Sequence, residues 1–175
     1  MKIYLIRHGK TAGNLEKRYI GVTDEPLCPE GMAELRERQY PGCELVIASP
    51  MKRCIETARI IYPDKELVIC DELAECDFGD FEGKNYLELL GNAYYQRWID
   101  SGGTLPFPNG EDPEEFKARC IRGFDKMISR YSERGSIAFV VHGGTIMAVM
   151  ERYGGRDFYD SQIGNGEVIE LSWRI

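Results

Sequence analysis

Ile3-Tyr4-Leu5-Ile6-Arg7-His8-Gly9 is the stretch on which the fold turns. Four apolar, mostly branched or aromatic residues in a row read as a short strand covered on both faces, and the glycine marks the turn that ends it. The pattern returns as Ile137-Ala138-Phe139-Val140-Val141-His142-Gly143-Gly144. The chain has two histidines, and both stand at these strand ends, 134 positions apart. In an open α/β sheet, ligands bind at the carboxyl edge of the strands. The two imidazoles can therefore meet there despite their separation, with Arg7 beside the first.

Three further strand signals flank them, at Glu44–Ala48, Glu66–Ile69 and Glu167–Trp173. The last alternates in polarity, as an edge strand does. Ser49-Pro50 reads as an N-cap and first helical position, opening a helix to about Tyr62. Asp112-Pro113-Glu114-Glu115 repeats the device, and Phe116, Cys120, Phe124, Met127 and Tyr131 then fall on one helical stripe. A third helix is expected over Gly144–Tyr153, ended by Gly154-Gly155. Strands alternating with helices predict an α/β fold, a three-layer α/β/α sandwich with a mainly parallel mixed sheet. Two stretches depart from it. Leu15–Pro29 reads as a long loop. Lys84–Gly110, with Tyr86, Tyr94, Tyr95 and Trp98, reads as an aromatic excursion, either a lid over the site or a surface subdomain with its own small core.

The 175 residues are 43% apolar and 29% charged, as expected of one globular domain over residues 1–175. A net charge of −7 argues against a nucleic-acid or anionic-membrane partner. It leaves room for a small basic pocket and an anionic metabolite. Apolar runs stop at about five residues, too short to span a bilayer. The N-terminus shows no signal-peptide pattern, so a cytoplasmic location is expected. Cys28, Cys43, Cys54, Cys70, Cys76 and Cys120 form no C-x-x-C pair. They read as small buried apolar residues, not as zinc ligands. Nothing in the sequence sets an oligomeric state.

Arg7-His8-Gly9-Lys10-Thr11-Ala12-Gly13-Asn14 places an arginine, a histidine and an amide around a turn rich in backbone N–H groups, which suits an oxyanion. The positive neighbour disfavours imidazolium and keeps His8 nucleophilic. Arg53 lies in the first turns of a helix that follows a strand, where a second clamp on the same anion fits. Glu75, Asp77, Asp80 and Glu82 crowd one loop. One of them can serve as a proton donor, and chemistry alone does not choose among them.

Arg7-His8-Gly9-x-Thr11-x-x-Asn14, Ser49-Pro50-x-x-Arg53, Glu75-x-x-x-Gly79-x-x-Glu82-Gly83 and His142-Gly143-Gly144 occur in this order. Together they resemble the histidine phosphatase superfamily, with its phosphoglycerate-mutase-like fold, over essentially the whole chain. The resemblance implies phosphomonoester hydrolysis through a phosphohistidine, without metal or other cofactor. It implies His8 as nucleophile and Arg7, Asn14, Arg53, His142 and Gly143 around the phosphoryl oxygens. It also implies Glu75 as the acid; Glu82, at the glutamate-glycine end of the motif, looks structural and is the second candidate for that role. Tyr19-Ile20-Gly21 and Pro26-Leu27 are similar to the α-ribazole 5′-phosphate phosphatases of cobalamin biosynthesis. Some broad-specificity members carry glutamine where this chain has Ile20. A broad-specificity phosphatase is the alternative. A phosphoglycerate mutase follows, because the excursion offers only Lys84 and Arg97 for a second anionic group. An inactive phospholigand-binding module comes last, since no motif residue is missing.

Overall fold

The computed structural model describes residues 1–173. Its elements are β1 (Lys2–Arg7), α1 (Ala12–Leu15), α2 (Pro29–Glu37), β2 (Leu45–Ala48), α3 (Lys52–Ile61), β3 (Leu67–Ile69), α4 (Ala93–Asp100), α5 (Pro113–Arg130), β4 (Ser136–Val141), α6 (Gly143–Tyr153) and β5 (Val168–Ser172). The five strands form one sheet in the order β3-β2-β4-β1-β5. The first four run parallel, and β5 pairs antiparallel with β1 at the edge. The fold is thus the phosphoglycerate-mutase-like α/β sandwich expected from the strand and helix pattern.

Period-two alternation sorts the strand side chains between two cores. Ile3, Leu5, Ile47, Ile137 and Phe139 face Phe124 and Met127 of α5 and Ile146 and Val149 of α6. Tyr4, Ile6, Val46, Ala138 and Val140 face Cys54 and Ala58 of α3, and α2 packs outside α3. The stripe on α5 serves two clusters. Phe124 and Met127 enter the sheet core, whereas Phe116 and Cys120 join a third cluster with Phe81, Tyr95 and Phe107. The aromatic excursion therefore packs into a cluster that it shares with the preceding loop, α5 and α6. It is stapled to the preceding loop by the Asp80 N–H on the Pro108 carbonyl (2.8 Å) and the Glu111 N–H on the Asp77 carbonyl (2.9 Å). Gly79 adopts φ +52° there, and a Cβ would strike the Pro108 carbonyl, so only glycine fits.

Three expectations need correction. Ser49-Pro50 does not cap α3. That helix begins at Lys52 with Met51 as N-cap and no side-chain bond, and the Ser49 hydroxyl, two residues earlier, accepts the Met51 N–H at 3.4 Å while meeting a tertiary partner described below. Leu15–Pro29 is not all loop. Leu15 closes the single turn α1, and Pro29 opens α2. The sequence reading assigned no helix to Pro29–Glu37, since only Gly31 and Leu35 of it are buried and no apolar stripe exists to betray it. Cys28 is not a buried core thiol. Its Sγ accepts the Gly31 N–H at 3.3 Å and caps α2, while the other five cysteines are buried. Asp112 caps α5 as expected, accepting from the Glu114 and Glu115 amides.

Phe124 is fully buried between α5 and the sheet. Phe124→Ala is expected to lower unfolding free energy by about 3–5 kcal/mol. Leu90→Ala, at 68% exposure, is expected to change it by under about 0.5 kcal/mol. Urea titration of both variants checks the assignment of the core.

Candidate active site

Parallel pairing sets Arg7 opposite Val141, so the next residues, His8 and His142, stand side by side at the carboxyl edge. Their rings are 5.3 Å apart, edge to face. His8 Nδ1 lies 2.7 Å from the Gly9 carbonyl oxygen. A carbonyl only accepts, so Nδ1 carries the proton and Nε2 keeps its lone pair. Burial, then the charges of Arg53 and Arg7, push the His8 pKa down to about 3. His142 is pushed well below its ordinary value by the same causes, burial first. Its Nε2 meets the Ser49 hydroxyl at 2.7 Å and Cys54 Sγ at 3.5 Å.

Two arginines face this pair. Arg7 Nη1 donates to the Ile163 carbonyl at 2.6 Å, and its Nε is buried without a partner. A Cβ on Gly143 would sit 3.6 Å from that Nε, which puts the guanidinium at the N-terminus of α6. Arg53 is 0% exposed. The sequence alone could equally make it a solvated surface residue. Its Nη1 donates to the Thr23 carbonyl (2.9 Å) and its Nη2 to Gly21 (2.8 Å) and Ile20 (3.4 Å). Its Nε is likewise an orphan donor. Unpaired buried cationic N–H groups are costly, and an anion is their natural complement.

The loop of four acids resolves into one site carboxylate. Glu75 Oε1 accepts the Cys76 N–H at 2.9 Å, and a Cβ on Gly144 would lie 2.8 Å from it. The carboxyl therefore sits over the start of α6. Burial raises its pKa above the usual carboxylate range, against the pull of that amide and of both arginines. Asp77 accepts the Gly79 N–H, and Asp80 holds Asn109. Glu82 Oε1 accepts the Gly21 and Thr23 amides at 2.8 and 2.9 Å. These three acids are spent on the loop.

Arg7, His8, Asn14, Glu75 and Gly143 border a cavity of about 640 Å³, whose outer wall is Tyr19, Phe78, Trp98 and Phe107. Arg53 and His142 stand behind it. Asn14 Oδ1 accepts from the Thr11 backbone (3.1 Å) and from Asn165 Nδ2 (3.2 Å). Two donors fix the amide, and among the described residues its own Nδ2 has no partner. Sequence reasoning missed Asn165, which also donates to the His8 carbonyl at 3.1 Å. The turn dipeptide Asn165-Gly166 before an edge strand was its one available signal. Thr57 was also missed. It accepts the Gly9 N–H (2.9 Å) and donates to the Arg53 carbonyl (2.7 Å), tying the two motifs together.

The depressed His8 pKa has a consequence for stability. Between the ordinary value of 6.5 and about 3, the unfolded chain binds a proton at His8 that the folded chain refuses. Stability is thus unaffected above pH 6.5 and falls as pH drops below it, by about 1.4 kcal/mol per unit from His8 alone. His142 adds in the same direction, and Glu75, with its raised pKa, opposes both in the acid range. Denaturant titrations from pH 7 to 4 are expected to show this slope, reduced by about 1.4 kcal/mol per unit in His8→Ala.

Comparison with known proteins identifies the family. The family model of the histidine phosphatase superfamily (branch 1) matches residues 3–174. The uncharacterized phosphatase PhoE of Bacillus subtilis is 31% identical over 99% of this chain and 91% of its own length. A 2,3-bisphosphoglycerate-dependent phosphoglycerate mutase 2 of Gloeobacter violaceus is 31% identical, over 85% of this chain and 73% of its own. The crystal structure of the α-ribazole phosphatase from Shigella flexneri superposes with a TM-score of 0.87 at 26% identity, covering 99% of this chain and 91% of that one. With these relatives, and with a family match that runs from the first strand past the last described residue, the chain belongs to the histidine phosphatase superfamily, branch 1.

Proposed function

We propose that the protein hydrolyses a small phosphomonoester through a phospho-His8 intermediate, and that its substrate is an ester with a flat, ring-bearing alcohol of the α-ribazole 5′-phosphate kind. The observation that carries the chemistry is the state of His8. Its Nδ1 is occupied by the Gly9 carbonyl, its ring is neutral down to about pH 3, and its free Nε2 belongs to a cavity-lining residue. Nε2 forms the bond to phosphorus as the ester P–O bond breaks. Glu75, held toward its protonated form by burial, gives its proton to the departing alkoxide. The resulting carboxylate then takes a proton from water as that water's oxygen attacks phosphorus. The P–N bond breaks, and His8 and protonated Glu75 are restored. Charge on the equatorial oxygens meets Arg7, Asn14 and the amide end of α6 at Gly143. Arg53 and His142 support it from behind the cavity. Fixed donors of this kind stabilise the transition state without reorganising.

The outer wall supports a flat leaving group. Tyr19, Phe78, Trp98 and Phe107 present rings, and Ile20, against Gly13, offers no polar contact. The cations at the mouth are mostly engaged. Arg18 pairs with Glu16 and Glu88, and Lys117 with Glu114 and Glu151. In the excursion, Lys84 donates to the Asp80 carbonyl and Arg97 stacks over Tyr94. A mutase has to hold a second anionic group, and this set is poorly placed to do so. The aromatic wall is equally compatible with broad specificity toward ring-bearing esters, which is the second reading.

The test is phosphate release in EDTA from an aryl phosphate, α-ribazole 5′-phosphate, 3-phosphoglycerate and a mononucleotide. His8→Ala is expected to abolish turnover. Glu75→Gln is expected to slow alkyl esters by about 10²- to 10⁴-fold and the aryl ester far less, since a phenolate leaves without a proton. Equal slowing of both overturns the role given to Glu75. Preference for the ribazole ester supports the narrow reading, and uniform rates support the broad one. In the wild type, kcat/KM for alkyl esters is expected to fall on the alkaline side as Glu75 loses its proton, a limb that the Glu75→Gln profile lacks.

A further inference from the structure

Glu82 does not border the cavity, yet it grips the segment that grips Arg53. Its Oε1 accepts the amides of Gly21 (2.8 Å) and Thr23 (2.9 Å). The carbonyls of the same two residues accept from Arg53 Nη2 (2.8 Å) and Nη1 (2.9 Å). Residues 20–23 are thus clamped between a carboxylate on their N–H groups and a guanidinium on their C=O groups. Among the described residues, Arg53 has no carboxylate partner. Its guanidinium donates instead to these backbone oxygens and to the Ile20 carbonyl (3.4 Å). The segment also packs closely at Gly21, where a Cβ would collide with the Cys76 carbonyl oxygen.

We propose that Glu82 is a positioning residue for phosphoryl binding, acting on Arg53 through the peptide groups of residues 20–23. The inference rests on the phosphatase reading, in which Arg53 serves the phosphoryl group. A carboxylate accepting two amides is a strong, charge-assisted anchor. It also polarises the peptide unit that joins the Gly21 N–H to the Ile20 carbonyl, which accepts from Arg53 Nη2 at 3.4 Å. Without it, the segment relaxes and the guanidinium turns with it. A displacement of about 1 Å in such a clamp costs on the order of 10²-fold in rate. Glu82 Oε2, buried and unpartnered, marks the position as one that packing alone does not favour.

The experiment is a double-mutant cycle read in kcat/KM and in competitive inhibition by inorganic phosphate. Glu82→Ala is expected to weaken phosphate inhibition about tenfold or more. Glu82→Gln, which keeps an acceptor at Oε1, is expected to restore most of it. In an Arg53→Ala background, Glu82→Ala is expected to change phosphate affinity by less than about twofold, since the residue acts through Arg53. Should Glu82→Ala fail to fold, Glu82→Asp, which shortens the anchor, carries the same cycle, and melting curves establish which variants are folded. Additive losses in the cycle, or wild-type phosphate affinity in a folded Glu82→Ala or Glu82→Asp protein, overturn the proposal. If the wild type neither hydrolyses an aryl phosphate nor binds inorganic phosphate, the phosphatase reading itself fails and takes this inference with it. Activity with an additive cycle removes only the role of Glu82.

Discussion

The parallel pairing of β1 with β4 is the constraint from which the site descends. Six residues lie in register, from Lys2 opposite Ser136 to Arg7 opposite Val141, and the His8 N–H continues the ladder onto the Val141 carbonyl at 3.0 Å. A parallel sheet ends all its strands at one edge. β1 therefore delivers Arg7 and His8 there, β2 delivers Ser49 and the start of α3, and β4 delivers His142 and the amides of α6. The segment after β3 carries Glu75 to the same edge. The antiparallel β5 obeys the same geometry in reverse. It starts where the others finish, so the Asn165-Gly166 turn that precedes it closes on His8 and Arg7.

A chain of net charge −7 thus places two guanidinium groups, two imidazoles and a carboxyl at one strand edge. The fold tolerates this because the imidazoles are neutral and the arginines lean on carbonyl oxygens rather than on carboxylates. A carboxylate partner would cancel the positive field that an anion needs. Backbone carbonyls satisfy part of the guanidinium and leave its charge in place. The orphan Nε atoms of Arg7 and Arg53 are the residue of that compromise.

The aromatic excursion is joined to the sandwich through α5, whose apolar stripe divides between two cores. Trp98 and Phe107 pack against Phe81 at 5.9 and 5.8 Å and also wall the cavity. The surface that would contact a leaving group is therefore the flank of a packed cluster. Its shape is tied to the same contacts that hold the excursion together.

The sequence by itself determined the strands, their sidedness and the strand-end placement of both histidines. Each of those depends on a local period and a glycine that stops it. Motif order alone pointed to the family and to the candidate site residues. What it left open was every property that depends on a neighbour distant in the chain. Four carboxylates in one loop look alike until backbone amides claim Asp77 and Glu82, and a side chain claims Asp80. Arg53 reads as easily as a surface residue until the fold buries it beneath residues 20–23. Ser49 looks like a helix cap until the fold starts α3 at Lys52 and sets the serine hydroxyl against His142, 93 positions away. α2 stayed hidden for the complementary reason, since a helix that buries two residues writes no stripe. Local sequence fixes the backbone's choices residue by residue, but hydrogen-bond partners and burial are decided only when the sheet brings its strand ends together.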